Sequence, residues 1–423
     1  MNGNLIIENI DEIVTPEGNC GVSGSDMQNL RRYEHYSVVV EDGKIAAITK
    51  EAAALAAFKE KGHPVLSGKG KTMTPGYVDS HTHLIFGGYR PEEFDMRLKG
   101  VAYMEIMKKG GGIANTVKMT QEATLDHLIA TGAARLTKML AMGTTTVEAK
   151  SGYGMTLETE MKQLKAVKAL KRISPVTLVS TFLGAHAIPE DYQHAADFVN
   201  YLNERVLPLV KDEALAEFVD IFCEDHVFNI EDSRMHLQAA KALGFKLKLH
   251  ADEIVPLGGA ELAAEMGAVS ADHLLHVSDE GIQSLIKANV VATLLPATAF
   301  TLREQYAPAR RLIDGGCMVA LATDFNPGSC FSYSMPLVIA LATLQMKMTI
   351  EEVITALTLN AAAALNRAEI IGSVEVGKQA DLLLHDFPSY KYIPYHVGIN
   401  TVAHTIKKGV VYTNNIINRE TFC

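Results

Sequence analysis

The sequence predicts an α/β protein: a (β/α)8 TIM barrel with a small composite β-sandwich domain built from both termini. Three observations support this prediction. The middle of the chain alternates short apolar runs with helical stretches, which indicates βα units and parallel strands. Eight such runs can be counted, the number that closes a TIM barrel. Both ends of the chain instead carry strand-like runs divided by glycine turns.

The size and composition fit this architecture. A chain of 423 residues is long enough for one large α/β domain and a smaller one. Its hydrophobic content of 48% and charged content of 21% are those of a folded protein with a sizeable core. We predict that residues 1–73 and 368–423 form the composite β-sandwich, and that residues 74–367 form the barrel.

The net charge, the N-terminal segment and the cysteine pattern limit the classes of function that the chain can have. A net charge of -10, with no tryptophan and no basic patch, argues against a nucleic-acid partner. The N-terminus lacks the pattern of a signal peptide, and apolar runs such as Pro336 to Leu344 are too short to span a bilayer. The cysteines number five and are scattered, which suits reduced thiols. We therefore expect a cytoplasmic protein that acts on a small-molecule substrate, without a membrane partner.

The terminal segments read as strands and turns. The first of them, HYSVVVEDGKIAAITK over residues 35–50, places two β-rich runs around Asp42-Gly43, a strong hairpin signal. Near the other end, GSVEVGKQADLLLHDF and NTVAHTIKKGVVYTN alternate strand-like runs with glycine turns. Because both ends have this pattern of strand-like runs and turns and the middle does not, we predict that the two ends together form one β-domain.

The eight central runs predict the barrel strands. In chain order they are YVDSHTH, TTTVEAKSGYG, VTLVSTFLGAH, VDIFCEDH, KLKLHADE, VSADHLLH, VVATLLPATA and MVALATDFNPG. Helical stretches such as LETEMKQLKAVKALKRI over residues 157–173 and SRMHLQAAKALG over residues 233–244 lie between them. A doubly wound sheet is the alternative architecture, but no G-x-G-x-x-G motif opens a helix here.

Each run begins apolar and turns polar at its C-terminal end. The polar residues at these ends are His81, His83, Lys150, Tyr153, His186, Glu224, Asp225, His226, His250, Asp252, Glu253, His273, His276, Asp324 and Asn326. In a parallel barrel the C-terminal strand ends share one rim, where the βα loops build the active site. This arrangement predicts an enzyme with its active site at that rim.

A metal site is the first prediction for the rim. His81 and His83 are two residues apart on a strand, so their imidazoles point to the same face. His250 and Asp324 end two other strands, and three histidines with one aspartate suit zinc or ferrous iron. A metal lowers the pKa of its bound water to about 7. Glu253 would then act as general base toward that water and the leaving nitrogen. If His81 and His83 are considered without the other residues, the alternative is a pair of surface histidines.

The stretch GKTMTPGYVDSHTH resembles the first-strand signature G-K-x-x-x-P-G-x-V-D-x-H-x-H of the metal-dependent amidohydrolase superfamily. The resemblance implies the barrel with its composite β-sandwich. It also matches the superfamily's strand-five histidine and strand-eight aspartate with His250 and Asp324, and its strand-six histidine with His273. Dinuclear members carry a carbamylated lysine after strand four, where this chain has none. We therefore expect one metal, with His273 bonded to the water or the substrate oxygen, and we interpret Lys150 as structural.

Further stretches resemble the branch of this superfamily that opens the imidazolone ring in histidine degradation. These stretches are THLIFGGYR, EAKSGYG, FLGAHA, LHADE and ATDFNPGS. The resemblance implies hydrolysis of the ring C–N amide bond of 4-imidazolone-5-propanoate to N-formimidoyl-L-glutamate, with a homodimer as the common assembly. It implies catalytic roles for Glu253, His273 and Asp324. The implied substrate contacts are Arg90, Tyr153, His186, Glu253, Asn326, Gly328 and Ser329.

Several alternatives stay open from the sequence. A deaminase of a nucleobase or an aromatic amidine on the same scaffold is the nearest alternative, although it gives little reason for Arg90, whose planar fork matches a carboxylate. The other alternative is a catalytically silent barrel that binds small acids or assembles with a partner. The stretch Gly110 to Asn115, with Tyr103 upstream, is either a loop over the site or a solvent loop. The choice between zinc and iron and the proton-transfer roles of His186 and His273 also stay open.

Overall fold

The structure is a computed structural model, and it describes residues 3–101 and 111–414. The strands within those ranges are β1 (Leu5–Thr15), β2 (Arg31–Glu41), β3 (Lys44–Thr49), β4 (Val65–Ser67), β5 (Thr72–Pro75), β6 (Tyr77–Asp79), β7 (Thr144–Lys150), β8 (Thr177–Ala185), β9 (Phe218–Cys223), β10 (Lys246–Ala251), β11 (Ser270–His273), β12 (Val291–Leu294), β13 (Val319–Leu321), β14 (Leu382–His385), β15 (Val402–Lys407) and β16 (Val410–Thr413). They form two eight-stranded sheets.

Helices connect and cover these strands. The described α-helices are Ala52–Glu60, Pro91–Leu98, Ile113–Glu122, Leu125–Ala141, Leu157–Ile173, Ala195–Tyr201, Leu207–Asp212, Ile230–Ala242, Gly259–Met266, Asp279–Ala288, Pro296–Leu302, Ala309–Gly315, Met335–Leu344, Ile350–Leu357, Leu359–Ala364 and Tyr392–Tyr395. A 3-10 helix spans Gly24–Gln28, and a π-helical turn spans Leu202–Val206. Within residues 3–101 and 111–414, no helix has both the length and the apolar composition needed to cross a membrane.

The first sheet interleaves strands from both termini. Its order is β16-β15-β14-β5-β1-β2-β3, with β4 paired to β1, so that C-terminal β14 lies against N-terminal β5. The hairpin predicted around Asp42-Gly43 is confirmed, because β2 pairs with β3 across it and both turn residues have positive φ, 51° and 76°. The composite domain is thus confirmed as one sheet. The boundaries at residues 73/74 and 367/368 stay a prediction.

The second sheet is the barrel, and the eight predicted runs match its strands β6 to β13 in order. All neighbouring pairs are parallel. The first and last strands meet just beyond their ends, where the Asp324 N–H donates to the His81 carbonyl (3.0 Å) and the His83 N–H donates to the Phe325 carbonyl (2.9 Å). The doubly wound alternative is therefore excluded.

The surrounding helices begin and pack as their sequences predict. The helix Leu157–Ile173 starts where the Thr156 side chain accepts the Thr159 N–H, and it buries Leu164 and Leu170 against the sheet. The second predicted helix is observed over Ile230–Ala242 and starts at the Asn229 cap. Helices therefore run back along the outside of the barrel and leave its C-terminal rim to the loops.

Candidate active site

Four histidines from three strands converge at the centre of the barrel rim. His81 and His83 follow β6, His250 lies in β10 and His273 ends β11. The His81 ring centroid lies 4.6 Å from that of His250, 5.3 Å from that of His273 and 5.5 Å from that of His83. All four side chains are buried. The period of a strand explains the first pair, and the parallel sheet order brings in the others.

Asp324 completes the group from the segment after the last barrel strand, β13, next to the segment that carries His81. Its Oδ1 lies 3.5 Å from His81 Nε2 and 3.5 Å from His83 Nε2. Thr298 Oγ1 donates to the other oxygen, Oδ2, at 2.6 Å and so fixes the carboxylate. Asp324 has a φ of 53°, which is uncommon for a residue other than glycine and is a form of backbone strain found at functional sites.

The donor atoms of this group fit a metal ion. His81 Nε2, His250 Nε2 and Asp324 Oδ1 are buried and have no hydrogen-bond partner among the described residues. Potential ligand atoms of His81, His83 and His250 lie within 4.8 Å of one another, and so do those of His81, His273 and Asp324. Buried polar atoms without partners are costly, and a shared cation satisfies all of them at once. The geometry thus accommodates His273 beside the four predicted ligands.

Two buried aspartates contact the imidazoles of His81 and His250, two of the candidate metal ligands. Asp272 Oδ2 lies 2.7 Å from His81 Nδ1, and Asp220 Oδ2 lies 3.1 Å from His250 Nδ1. A carboxylate at Nδ1 fixes the tautomer that carries its proton there and leaves Nε2 free for a metal. Burial lowers the pKa of His81 well below its usual value, so this imidazole is neutral. Sequence reasoning missed both aspartates. The only signal for them in the sequence is a charged residue inside a predicted strand.

Lys150 contacts both of these aspartates and is not one of the candidate metal ligands. Its Nζ is 2.6 Å from Asp220 Oδ2 and 3.0 Å from Glu148 Oε2. Burial alone would lower the pKa of Lys150, but the charges of Asp220, Glu148 and Asp272 raise it overall, so the ammonium stays charged. This placement agrees with the structural interpretation of Lys150.

Glu253 is the acid–base candidate at the edge of the metal-binding group. Its Oε1 lies 3.4 Å from His273 Nδ1, and its side chain keeps 15% of its exposure. Burial, together with the charges of Asp324 and Glu224, raises the pKa of Glu253 to about 8. A carboxyl group whose pKa is close to neutral pH can both accept and return a proton.

The aromatic and imidazole side chains after β7 and β8 form one wall of the site. The His186 ring stacks on His83 with centroids 4.8 Å apart, and Tyr153 lies 5.2 Å from His186 by ring centroid. His186 Nδ1 lies 3.1 Å from the Gly152 carbonyl, which sets Nε2 as the free nitrogen. Burial lowers the pKa of His186 to about 3, so it is neutral.

Arg90 lies in the loop after β6, where Glu93 holds it. Glu93 Oε2 accepts from Arg90 Nη1 at 2.9 Å and from the Gly112 N–H at 3.0 Å. Glu93 Oε1 accepts from Asn115 Nδ2 at 2.9 Å. Glu93 was missed by sequence reasoning, and it connects Arg90 to Gly112 and Asn115. The prediction of a loop is wrong for residues 113–115, because they form the first turn of the helix Ile113–Glu122. Gly110 and Tyr103 themselves lie outside the described residues.

The turn after Asp324 is built by the Asn326 side chain. Asn326 Oδ1 accepts from the backbone N–H groups of Gly328 (2.8 Å) and Ser329 (2.7 Å), and its Nδ2 donates to Ser329 Oγ at 2.9 Å. These three residues, which the resemblance implies as substrate contacts, are therefore hydrogen-bonded to one another here. A Cβ on Gly328 would fall well inside van der Waals contact with Arg90 Nη2, so the turn and the arginine are packed together.

Comparisons with known proteins show which family the chain is similar to. The model of the amidohydrolase family matches residues 72–412. The chain is 53% identical over 412 residues to an imidazolonepropionase of Clostridium tetani, covering 97% of this chain and 98% of that one. It is 52% identical over 412 residues to one of Parabacteroides distasonis, covering 97% and 99%. It is 53% identical over 421 residues to one of Bacteroides thetaiotaomicron, covering 98% and 100%.

Solved structures share the fold at much lower identity. A triazine hydrolase variant superimposes with a TM-score of 0.73 at 16% identity, covering 97% of this chain and 95% of that one. An adenosine deaminase from Xanthomonas campestris with bound zinc has a TM-score of 0.69 at 20% identity, covering 96% and 92%. These similarities establish a common fold.

Proposed function

The chain belongs to the amidohydrolase family and, within it, to the imidazolonepropionases, which are metal-dependent hydrolases of histidine degradation, and we propose how its rim performs this hydrolysis. The substrate is 4-imidazolone-5-propanoate and the product N-formimidoyl-L-glutamate. One observation supports the assignment of the site: the buried atoms His81 Nε2, His250 Nε2 and Asp324 Oδ1 have no partner among the described residues, and they belong to a group that includes His273, whose Nδ1 lies 3.4 Å from Glu253.

One divalent ion, zinc or iron, is the cofactor in this proposal. His81, His83, His250 and Asp324 would hold it, a set of three nitrogens and one oxygen that suits either metal. When bound, the ion supplies a Lewis acid that polarises the ring carbonyl and lowers the pKa of a water. His273 is assigned to the water or the substrate oxygen, because its Nδ1 lies beside Glu253.

Glu253 carries the proton in the proposed reaction. As the water oxygen bonds to the ring carbonyl carbon, the Glu253 carboxylate accepts the water proton. It then returns that proton to the ring nitrogen as the C–N bond breaks. His273 lines the same space as a neutral imidazole and can donate a hydrogen bond to the oxygen on which negative charge develops. His186 is also neutral, but its Nδ1 proton is bonded to the Gly152 carbonyl, so its Nε2 can only accept a hydrogen bond from the substrate.

Arg90 is proposed to bind the propanoate carboxylate. The Arg90 side chain is only 9% exposed, so a carboxylate that reaches its guanidinium leaves most of its water behind. Tyr153 supplies the apolar wall for the ring, and Asn326, Gly328 and Ser329 shape the opposite turn. The carboxylate and the ring are thereby held at fixed positions relative to Glu253.

The test is ring opening by the purified metal-loaded protein. We expect the ultraviolet absorption of the imidazolone to decay without release of ammonia. If the protein leaves imidazolonepropanoate unchanged and instead releases ammonia from guanine or cytosine, the site belongs to a deaminase and the proposal is wrong.

A homodimer in the cytoplasm, without nucleic-acid or membrane partners, completes the proposal. The net charge of -10 supports the absence of a nucleic-acid partner. Sedimentation of the purified protein tests the dimer, and a monomer at micromolar concentration would contradict it.

A further inference from the structure

Two lysines lie buried in the barrel beneath the metal-binding histidines, and the proposed reaction uses neither. Lys150 ends β7 and Lys248 lies in β10, and both side chains have 0% exposure. Lysine is almost never fully buried unless it is paired. The groups that pair with these two lysines therefore indicate the role of the lysines in the barrel interior.

The partners are three buried carboxylates from the alternate strands β7, β9 and β11. Lys150 Nζ lies 2.6 Å from Asp220 Oδ2, 3.0 Å from Glu148 Oε2 and 3.6 Å from Asp272 Oδ2. Lys248 Nζ lies 3.1 Å from Glu148 Oε2 and 3.6 Å from Asp272 Oδ2, and it donates to the Ser80 carbonyl at 2.8 Å. Glu148 thus joins the two ammonium groups into one cluster.

Two of these carboxylates also hold metal-binding histidines. Asp272 Oδ2, which lies near both lysines, accepts from His81 Nδ1 at 2.7 Å. Asp220 accepts from His250 Nδ1 and, through Oδ2, from Lys150. Each chain of contacts therefore runs from an ammonium through a carboxylate to an imidazole whose Nε2 faces the proposed ion.

The charges explain why two ammonium groups are needed. Three carboxylates in one dry interior repel one another, and two ammonium groups reduce the formal charge of this cluster from −3 to −1. Removal of one partner of such a pair leaves an uncompensated buried charge, and the remaining side chain moves to relieve it. A carboxylate that moves no longer holds the imidazole of its histidine in the orientation that directs Nε2 toward the proposed ion.

We propose that Lys150 and Lys248 are positioning residues for the metal ligands: they fix Asp220 and Asp272, which orient His250 and His81 toward the ion. This inference rests on the metal site of the proposed function. The competing explanation is that the lysines only stabilise the barrel interior.

The experiment compares Lys150→Met and Lys248→Met with a matched control. Lys407→Met breaks another buried pair, since Lys407 Nζ lies 2.6 Å from Asp381 Oδ2 with both side chains 2% exposed, but that pair is in the terminal sheet. Zinc affinity of each full-length protein is measured by competition with a chelator, and the visible spectrum is recorded after loading with Co²⁺. We expect the two barrel variants to lose about 10- to 100-fold in zinc affinity and to change the cobalt spectrum.

The control should lose thermal stability without a change in zinc affinity or cobalt spectrum. If a methionine variant does not fold, the glutamine variant at the same position, which keeps a donor without the charge, is measured instead. Zinc affinities and cobalt spectra equal to those of the unmutated protein would overturn the inference. Because neither readout needs substrate, a protein that binds zinc normally but does not open the ring contradicts the proposed function and leaves this inference standing.

Discussion

At the scale of single residues, the site depends on which atoms of each side chain remain free. Hydrogen bonds occupy Nδ1 of His81 and of His186, and burial keeps both rings neutral. The nitrogens that face the site therefore carry lone pairs at neutral pH, as a metal ligand or a hydrogen-bond acceptor requires. Glu253 differs, because its raised pKa leaves it able to gain and lose a proton.

Glu253→Gln should keep the metal and lose turnover. The amide has nearly the same shape but cannot accept a proton, and general-base catalysis contributes about 10²- to 10⁴-fold. We expect a drop of that order in kcat, with the metal content by elemental analysis unchanged. Metal loss in this variant would instead make Glu253 a ligand.

The pH dependence of kcat/KM should report Glu253. A base must be ionised to act, so activity is lost as the pH falls through its pKa. Burial raises that pKa to about 8, and a bound cation opposes the rise, so we expect the acid limb at or below pH 8. A profile from pH 5 to 9 tests this, and an acid limb that persists unchanged in Glu253→Gln would assign it to another group.

Arg90→Ala should mainly raise KM. A hydrogen bond to a charged group contributes about 1.5–3 kcal/mol, so we expect KM to rise roughly 10- to 100-fold while kcat changes less. Arg172→Ala is the matched control, because Arg172 is exposed in the last turn of the helix Leu157–Ile173. Equal kinetics for the two variants would place Arg90 outside the substrate site.

At the scale of elements, several barrel strands end at or just before a residue with positive φ, where the chain turns at the rim. Asp252, His273 and Asp324 follow or end β10, β11 and β13, and all three have positive φ, at 50°, 77° and 53°. Such conformations are uncommon outside glycine and persist where the surroundings determine them. Asp252 shows how: its carboxylate accepts the N–H groups of Gly258, Gly259 and Ala260 at the next helix.

Gly328→Ala tests the contact between two rim loops. The new Cβ would collide with Arg90 Nη2, so the guanidinium must move and KM should rise as it does in Arg90→Ala. Gly315→Ala is the control, since its Cβ would lie 3.5 Å from Ile282 Cγ2, an ordinary contact, at a helix end. A KM for Gly328→Ala equal to that of the control would show that the turn does not fix Arg90.

At the scale of the whole molecule, stability and function share the closure of the barrel. Asp79 in β6 accepts hydrogen bonds from the Thr323 N–H at 2.9 Å and from the Thr323 hydroxyl at 2.7 Å. Asp79 lies two residues before His81, and Thr323 lies one residue before Asp324. These bonds join the first and last strands of the barrel. The ligands from the two ends of the sheet are brought together by the same closure.

Thr323→Val should weaken this closure. Valine keeps the shape but leaves Asp79 Oδ2 without its buried donor, which costs about 1–3 kcal/mol in the free energy of unfolding. The control is Thr146→Val, because the Thr146 hydroxyl is buried with no partner among the described groups. A lower thermal midpoint for Thr323→Val alone is expected, and equal midpoints would contradict the role of this bond.

The sequence by itself determined the barrel, the composite terminal sheet and the main chemical groups of the site. Strand period, glycine turns and polarity at strand ends are local properties, so eight runs and the pair His81 and His83 could be recognised from the printed chain. Glu253 and Arg90 came from motifs near those ends, and their roles stay predictions.

Only the tertiary structure decided which buried charges support the ligands. Asp220, Asp272 and Lys248 lie within strands, where the sequence does not show which group a charged residue faces. The sheet order β7-β8-β9-β10-β11, closed into a barrel, brings Lys150 within reach of Asp220 and Asp272 across strands distant in the chain. Such pairing depends on the closed geometry of the whole sheet, which no local pattern records.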